Sequence, residues 1–188
     1  KISWFEATTL EEAQREANAT VSDFLGKEKA DGAIIKSGGI DVLDLMKEGL
    51  IAPDRIVNMR NIPGLDQISY DPRKGLEIGA NVTLTEIENN EGIQINYLAL
   101  HRAVAKAATP QLRNMSTLGG NLAQRTRCWY FRSIDHPCLR KGGFICFAKQ
   151  GENEYHSIMN NGGCSSVYAS SVATALLALD AQVVIVTK

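Results

Sequence analysis

Hydrophobic positions come in short bursts along this chain, and turns rich in glycine separate them. Ile2 to Phe5 predicts a short strand. Thr8 or Thr9 can cap a helix running through Leu10, Ala13 and Ala17 towards Phe24. Ala33-Ile34-Ile35 is an apolar run of buried-strand type that ends at Ser37-Gly38-Gly39. Val42, Leu43, Leu45 and Met46 then give helical spacing, and Gly49 closes that helix. Arg55 to Asn58 reads as another strand. Strand, glycine turn, helix and strand make a βαβ-like unit.

Asn61-Ile62-Pro63-Gly64 is the clearest turn in this half and marks a boundary between two lobes, 1–62 and 63–188. Beyond it, Gln67 to Tyr70 and Gly75 to Gly79 predict a hairpin around Asp71-Pro72. Thr83 and Glu86 form a capping-box pattern that opens a short helix. Tyr97 to Ala108 fits a longer helix stopped by Thr109-Pro110. Thr117 to Asn121 is a second glycine turn, and it leads into an irregular segment at about 122–169. Ser170 or Ser171 caps an apolar helix through Leu176, Leu177 and Leu179, and Gln182 to Val186 reads as a β-branched strand. With strands and helices both present, the fold class is α+β.

Composition narrows the function classes. The chain has 188 residues, 44% hydrophobic and 22% charged, enough to bury a sizeable core. A net charge of −1 gives no electrostatic footprint for nucleic acid. No apolar run approaches the roughly 18 residues of a membrane helix. Neither nucleic acid nor membrane is an expected partner, and the expected location is the cytoplasm, or the periplasm as part of an exported complex.

The four cysteines change the picture most. Cys128, Cys138, Cys146 and Cys164 are separated by nine, seven and seventeen residues, all inside the irregular segment. Thiols gathered this way suit a closed site around a soft metal or cluster. Disulfides and inert thiols are the other readings. Zinc is the rival metal, but structural zinc sites usually show close C-x2-4-C pairs, and none occurs here. Arg125, Arg127, Arg132, Arg140 and Lys141 are placed in sequence to lower thiol pKa values, or to form a solvated face. Trp129, Tyr130 and Phe131 can screen a cluster from water. His101, His136 and His156 read as ordinary, with His136 nearest the thiols in sequence.

Both glycine turns let backbone come close to a bound group, and free N–H groups at a helix start favour a pyrophosphate. Each is also explained by a tight turn. Taken in order, Ser37-Gly38-Gly39-Ile40-Asp41, Pro63-Gly64-Leu65, Gly79-Ala80, Gln111-Leu112-Arg113-Asn114 and Thr117-Leu118-Gly119-Gly120-Asn121-Leu122 resemble the FAD-binding subunit of molybdenum hydroxylases. This is the xanthine dehydrogenase and carbon monoxide dehydrogenase flavoprotein family. Thr126-Arg127-Cys128 and the later cysteines make the chain similar to the type seen in 4-hydroxybenzoyl-CoA reductase and bacterial aldehyde oxidoreductases, which carry an extra 4Fe-4S cluster.

The resemblance implies a two-lobed, PCMH-type FAD-binding fold with the cysteine-rich cluster loop inserted in the second lobe. FAD would lie between the lobes, against Ile35, Lys36, Ser37, Gly38, Gly39, Ile40, Asp41 and Val42 on one side. Thr117, Leu118, Gly119, Gly120 and Asn121 would face it from the other. Cys128, Cys138, Cys146 and Cys164 would ligate the cluster, with zinc the alternative. The family carries a further C-terminal domain that this sequence does not include. Two positions depart from the pattern: Ile40 stands where a small hydroxyl residue is usual, and Ser171 where an aspartate is usual. No Ser/His/Asp set or paired-carboxylate site appears, so no catalytic residue is expected, and cofactors would do the chemistry. The implied function is electron transfer between a molybdenum-cofactor large subunit and an external acceptor or donor, beside a small 2Fe-2S subunit. The other readings are a non-catalytic assembly module with structural zinc and a stand-alone flavin oxidase.

Overall fold

A computed structural model of the protein describes residues 1–27, 31–159 and 162–186. Three short strands form a parallel sheet, β1 (Ser3–Glu6), β2 (Ala33–Lys36) and β3 (Arg55–Asn58), in the order β1–β3–β2. Trp4 and Ile34 both sit opposite Ile56. Strand alternation splits the apolar residues between two faces. Ala33 and Val57 join Ala7, Ala13 and Ile62 on one side, while Ile34 joins Phe24, Leu45, Leu50 and Phe131 on the other. Between β2 and β3 runs α3 (Ile40–Lys47), which ends at Gly49 with a positive φ of 71°. The βαβ-like unit expected from sequence is therefore present.

The first helix is shorter than its sequence pattern suggests. α1 (Leu10–Glu16) is capped by Thr9, whose hydroxyl accepts the Glu12 amide at 3.1 Å, and it stops at Ala17. The chain leaves the helix there because Asn18 Oδ1 accepts the Ala33 amide, and the Ala33 carbonyl accepts the amides of Asn18 and Ala19. A capping box between Thr20 and Asp23 then opens α2 (Val21–Phe24).

The hairpin forms as expected from β4 (Ile68–Asp71) and β5 (Gly75–Ile78), with Asp71 Oδ1 accepting the Arg73 and Lys74 amides. A helical group follows: α4 (Leu84–Asn89), α5 (Glu91–Asn96), α6 (Leu98–Ala105), α7 (Pro110–Arg113) and α8 (Leu118–Ala123). After α9 (Trp129–Arg132) and the rest of the cysteine segment comes α10 (Ser171–Ala178), which packs on α6 and α8. Val82, Leu84, Ile87, Ile93, Leu100, Val104, Leu118 and Val172 form the shared core. The predicted capping box at Thr83 and Glu86 is present, and Ser170 caps α10.

Three expectations need correction. The helix expected at Tyr97–Ala108 is shorter, because Ala108 takes a φ of 54° and Thr109-Pro110 opens α7 instead of merely stopping α6. Thr117 to Asn121 is no open turn: Thr117 caps α8, and both glycines lie inside its first turn. Gln182–Val186 pairs with no strand among the described residues, and Val183 to Val186 are exposed. Their β-branched side chains fit a pleated surface only where a neighbouring strand supplies one.

The cysteine segment follows α8 in sequence yet packs elsewhere. Phe131 and Cys138 are buried with Phe24, Ile34 and Leu45, so the core under β2 and α3 includes this segment. Among the described residues no helix is long and apolar enough to cross a membrane.

Arg113 explains why the Gln111-Leu112-Arg113-Asn114 stretch is so ordered. Its buried guanidinium binds both oxygens of Glu88, at 2.8 and 3.3 Å, and donates to the carbonyls of Ala107 and Ala108. This clamps α7 to α4 across the left-handed Ala108. Arg113→Met is expected to lose about 2–3 kcal/mol in urea unfolding, less than a fully buried pair because Glu88 keeps some solvent contact.

Candidate functional site

A cavity of about 660 Å³ opens where the ends of β2 and β3 meet the helical group. Ligands of parallel sheets bind at the carboxyl ends of the strands, and its size suits a cofactor. Of the residues expected to hold a cofactor, Ile35, Lys36, Ser37, Gly38, Gly39, Ile40, Asp41, Val42, Thr117, Gly119, Gly120 and Asn121 line this cavity. Leu118 does not; its side chain faces the helical core beside Leu84 and Val172.

A half-buried hydroxyl and two buried polar side chains hold the two walls together. Ser37 donates its hydroxyl to Asn81 Oδ1 at 2.6 Å and lies 3.0 Å from Thr117 Oγ1. Asn81 uses its amide on the Met59 and Arg60 carbonyls. Gly38 is obligatory here, since a Cβ would fall inside the Met115 carbonyl oxygen. Asn81, missed in the sequence reading, lines the cavity and is 4% exposed. Its signal was its place one residue after the Gly79-Ala80 motif.

The two glycine stretches contribute different chemistry. Gly39 is the N-cap of α3 with a φ of 83° and supplies no side-chain cap, which leaves the first-turn amides of α3 able to meet an anion. In the other stretch the amides are committed. Leu118 N–H goes to Val82, Gly119 N–H to Ala80, Gly120 N–H to Thr117 Oγ1 and Asn121 N–H to the Thr117 carbonyl. Gly119 instead allows close approach: an added Cβ would lie 3.0 Å from Ala80 Cβ. Lys36, Lys106 and Arg127 bring positive charge to the cavity wall. Burial pushes the Lys36 ammonium below the usual lysine range, and the nearby Arg60 pushes it further. Ile40 and Ser171, the two unusual residues, both line the cavity.

A second, smaller cavity of about 10 Å³ is lined by Cys128, Cys138, Cys146 and Cys164 together. All four are free thiols, which removes the disulfide reading for this structure. Tyr130, Phe131 and Phe147 complete the wall, so two of the three aromatics expected to screen the site do so. Trp129 does not line this cavity and packs edge-on to Tyr130, Tyr155 and His156. Among the described residues no three His, Cys, Asp or Glu side chains are grouped closely enough to hold a single metal ion. A four-thiolate zinc site, at about 2.3 Å per bond, draws its sulfurs within about 4 Å of one another. Four sulfurs lining one small cavity are the donor type that a soft metal or cluster takes.

The polar surroundings of the sulfurs differ from expectation. His156, read as ordinary, is buried with Nε2 3.1 Å from Cys128 Sγ, while His136 packs edge-on to Tyr130 and Phe147. No local motif marks His156; only the fold brings it 28 positions back along the chain. Of the five expected cations, Arg140 donates to Cys164 Sγ at 3.1 Å. Lys141 is buried and donates to the Ser133 carbonyl, near Cys138 and Cys128. Arg125, Arg127 and Arg132 turn away from the sulfurs to Ser22 and the carboxylates of α3. These carboxylates offer stronger partners than a neutral thiol.

The thiols are unequal as a result. Burial pushes the Cys128 thiol up, and the amides of Phe131 and Tyr130 offset only part of this. Burial also acts on Cys164, but hydrogen bonds from Ser166 and Arg140 outweigh it and bring that thiol below the ordinary range.

Residues 1–188 match the family described as the FAD binding domain in molybdopterin dehydrogenase. The aldehyde oxidoreductase FAD-binding subunit PaoB of Escherichia coli (strain K12) is 35% identical over 184 residues, 97% of this chain and 56% of that protein. The carbon monoxide dehydrogenase medium chain of Hydrogenophaga pseudoflava is 26% identical over 138 residues, covering 73% of this chain and 46% of that one. Among solved structures, quinoline 2-oxidoreductase from Pseudomonas putida 86 superimposes with a TM-score of 0.53 at 28% identity, over 65% of this chain and 39% of that chain. The chain thus spans about half the length of the curated relatives it matches.

Two outcomes follow from this geometry. Gly38→Ala is expected to weaken FAD binding by about tenfold or more, read by fluorescence titration, because the methyl group forces the walls apart. In the reduced, metal-free protein, Cys164 holds its thiolate to lower pH than Cys128. Iodoacetamide should therefore label Cys164 first as pH rises from 6 to 9, seen by peptide mass.

Proposed function

The chain belongs to the FAD-binding-domain family of molybdopterin dehydrogenases, and from that premise we propose that it is the flavin- and cluster-carrying electron-transfer part of a molybdenum hydroxylase. The observation that carries this reading is the single cavity walled by both glycine stretches, with the four thiols gathered in a second cavity nearby in the fold. FAD supplies two-electron and one-electron chemistry in one group, and a 4Fe-4S cluster supplies one-electron exchange.

The chain's own residues bind and orient. The amides at the start of α3 and the cations Lys36, Lys106 and Arg127 favour the pyrophosphate. Gly38 and Gly119 let the two walls close on each other, at Met115 and Ala80, and so shape the cleft that receives the cofactor. Around the thiols, Arg140 and Lys141 offset negative charge, and Tyr130, Phe131 and Phe147 exclude water. Electrons would pass between a molybdenum-cofactor large subunit and an external acceptor or donor, with a small 2Fe-2S subunit as relay. Relatives named as subunits of aldehyde oxidoreductase and carbon monoxide dehydrogenase support this assembly.

Anaerobic reconstitution with FAD, iron and sulfide tests the reading. Saturable flavin absorbance and about four irons per chain, with an EPR signal on reduction, are expected. One zinc per chain without iron would replace the cluster with a structural metal. Absence of saturable FAD binding would overturn the flavoprotein reading itself.

A further inference from the structure

Arg132 stands between the two cavities. It ends the short helix that Cys128 begins, and its amide donates to the Cys128 carbonyl at 2.9 Å. Its side chain is 9% exposed, and all five N–H donors find acceptors. Three bonds reach across to α3: Asp41 at 2.7 Å, Glu48 at 3.1 Å and Asp44 at 3.2 Å. The other two go to the carbonyls of Thr126 and Arg125. Asp41 has Arg132 as its near partner at 2.7 Å, with Arg127 further off at 3.9 Å. It lies in the first turn of α3 and lines the flavin cavity, where a bare carboxylate would repel a pyrophosphate. Arg132 takes one of its oxygens, and the Arg125 amide takes the other at 2.8 Å.

We propose that Arg132 is a positioning residue that couples the two sites: it neutralises Asp41 for the flavin and, through the same contact, fixes the helix that presents Cys128. This rests on the flavin reading of the larger cavity. Coupling is reciprocal, so flavin bound against α3 must also hold Cys128 in place. Cys128 does not line the flavin cavity, so any protection of it by flavin travels through the protein and not by direct cover.

The test uses the reduced, metal-free chain at fixed pH, with FAD titrations and alkylation of Cys128 followed by peptide mass. In the unsubstituted protein, saturating FAD should slow Cys128 alkylation several-fold. Arg132→Met should weaken FAD by about tenfold, within the usual span of coupled sites, and abolish the protection. Removing the stranded charge as well, in Arg132→Met with Asp41→Asn, should recover flavin affinity but not protection. Should Arg132→Met fail to fold, Arg132→Lys serves: one ammonium cannot reach all five acceptors, so both effects should fall part-way. Flavin binding with no change in Cys128 alkylation overturns the coupling and leaves the flavin reading intact. Protection that persists in Arg132→Met, or Arg132→Lys matching the unsubstituted protein in both readouts, overturns the role of Arg132. No flavin binding by the unsubstituted protein overturns both readings.

Discussion

Three polar side chains, half-buried Ser37 and buried Asn81 and Thr117, meet at one point, and the cofactor cavity depends on that meeting. Each comes from a different stretch: the end of the parallel sheet, the segment entering the helical group, and the cap of α8. Buried polar atoms are costly unless paired, so this contact permits only one relation between the walls. Main-chain bonds from Leu118 to Val82 and from Gly119 to Ala80 reinforce it. Around this fixed point the glycines do what side chains would prevent, bringing backbone against backbone at Gly38 and Gly119.

The cysteine segment is fastened to the same framework by a different physics. Phe131 and Cys138 enter the core beneath β2 and α3, and the guanidinium groups of Arg127 and Arg132 hold the carboxylates on the outer side of α3. Apolar burial supplies the adhesion, and the ion pairs supply the direction. A buried ion pair seldom adds much net stability, because desolvation consumes most of the attraction. Its value here is in fixing which way the short helix after Cys128 points.

Much of this was legible in the sequence, for identifiable reasons. The βαβ unit showed itself through the apolar run Ala33-Ile34-Ile35 and the Ser37-Gly38-Gly39 turn, since both are local signals. Almost the whole expected cofactor lining reaches one cavity, Leu118 excepted. The four cysteines, gathered in one stretch of sequence, line one small cavity. What failed was long-range. Nothing beside Asn18 reveals that its side chain will bind β2 and break the first helix. The role of Arg132 depends on carboxylates 84 to 91 positions earlier, and that of His156 on a thiol on another turn of chain. Gln182–Val186 has strong strand composition but no partner strand among the described residues, and composition alone does not make a ladder.

The separation between Ser37 and Thr117, 80 positions along the chain, also bears on how the protein assembles itself. Closing so long a loop costs entropy before any contact repays it, so such contacts form late. The β2–β3 pairing and the packing of α4 on α6 join nearer stretches and can condense beforehand. The cleft between the sheet and the helical group is consequently among the last features to mature during folding, and a cofactor arriving there meets a nearly finished molecule. It can trap the completed form, but it cannot guide the early steps.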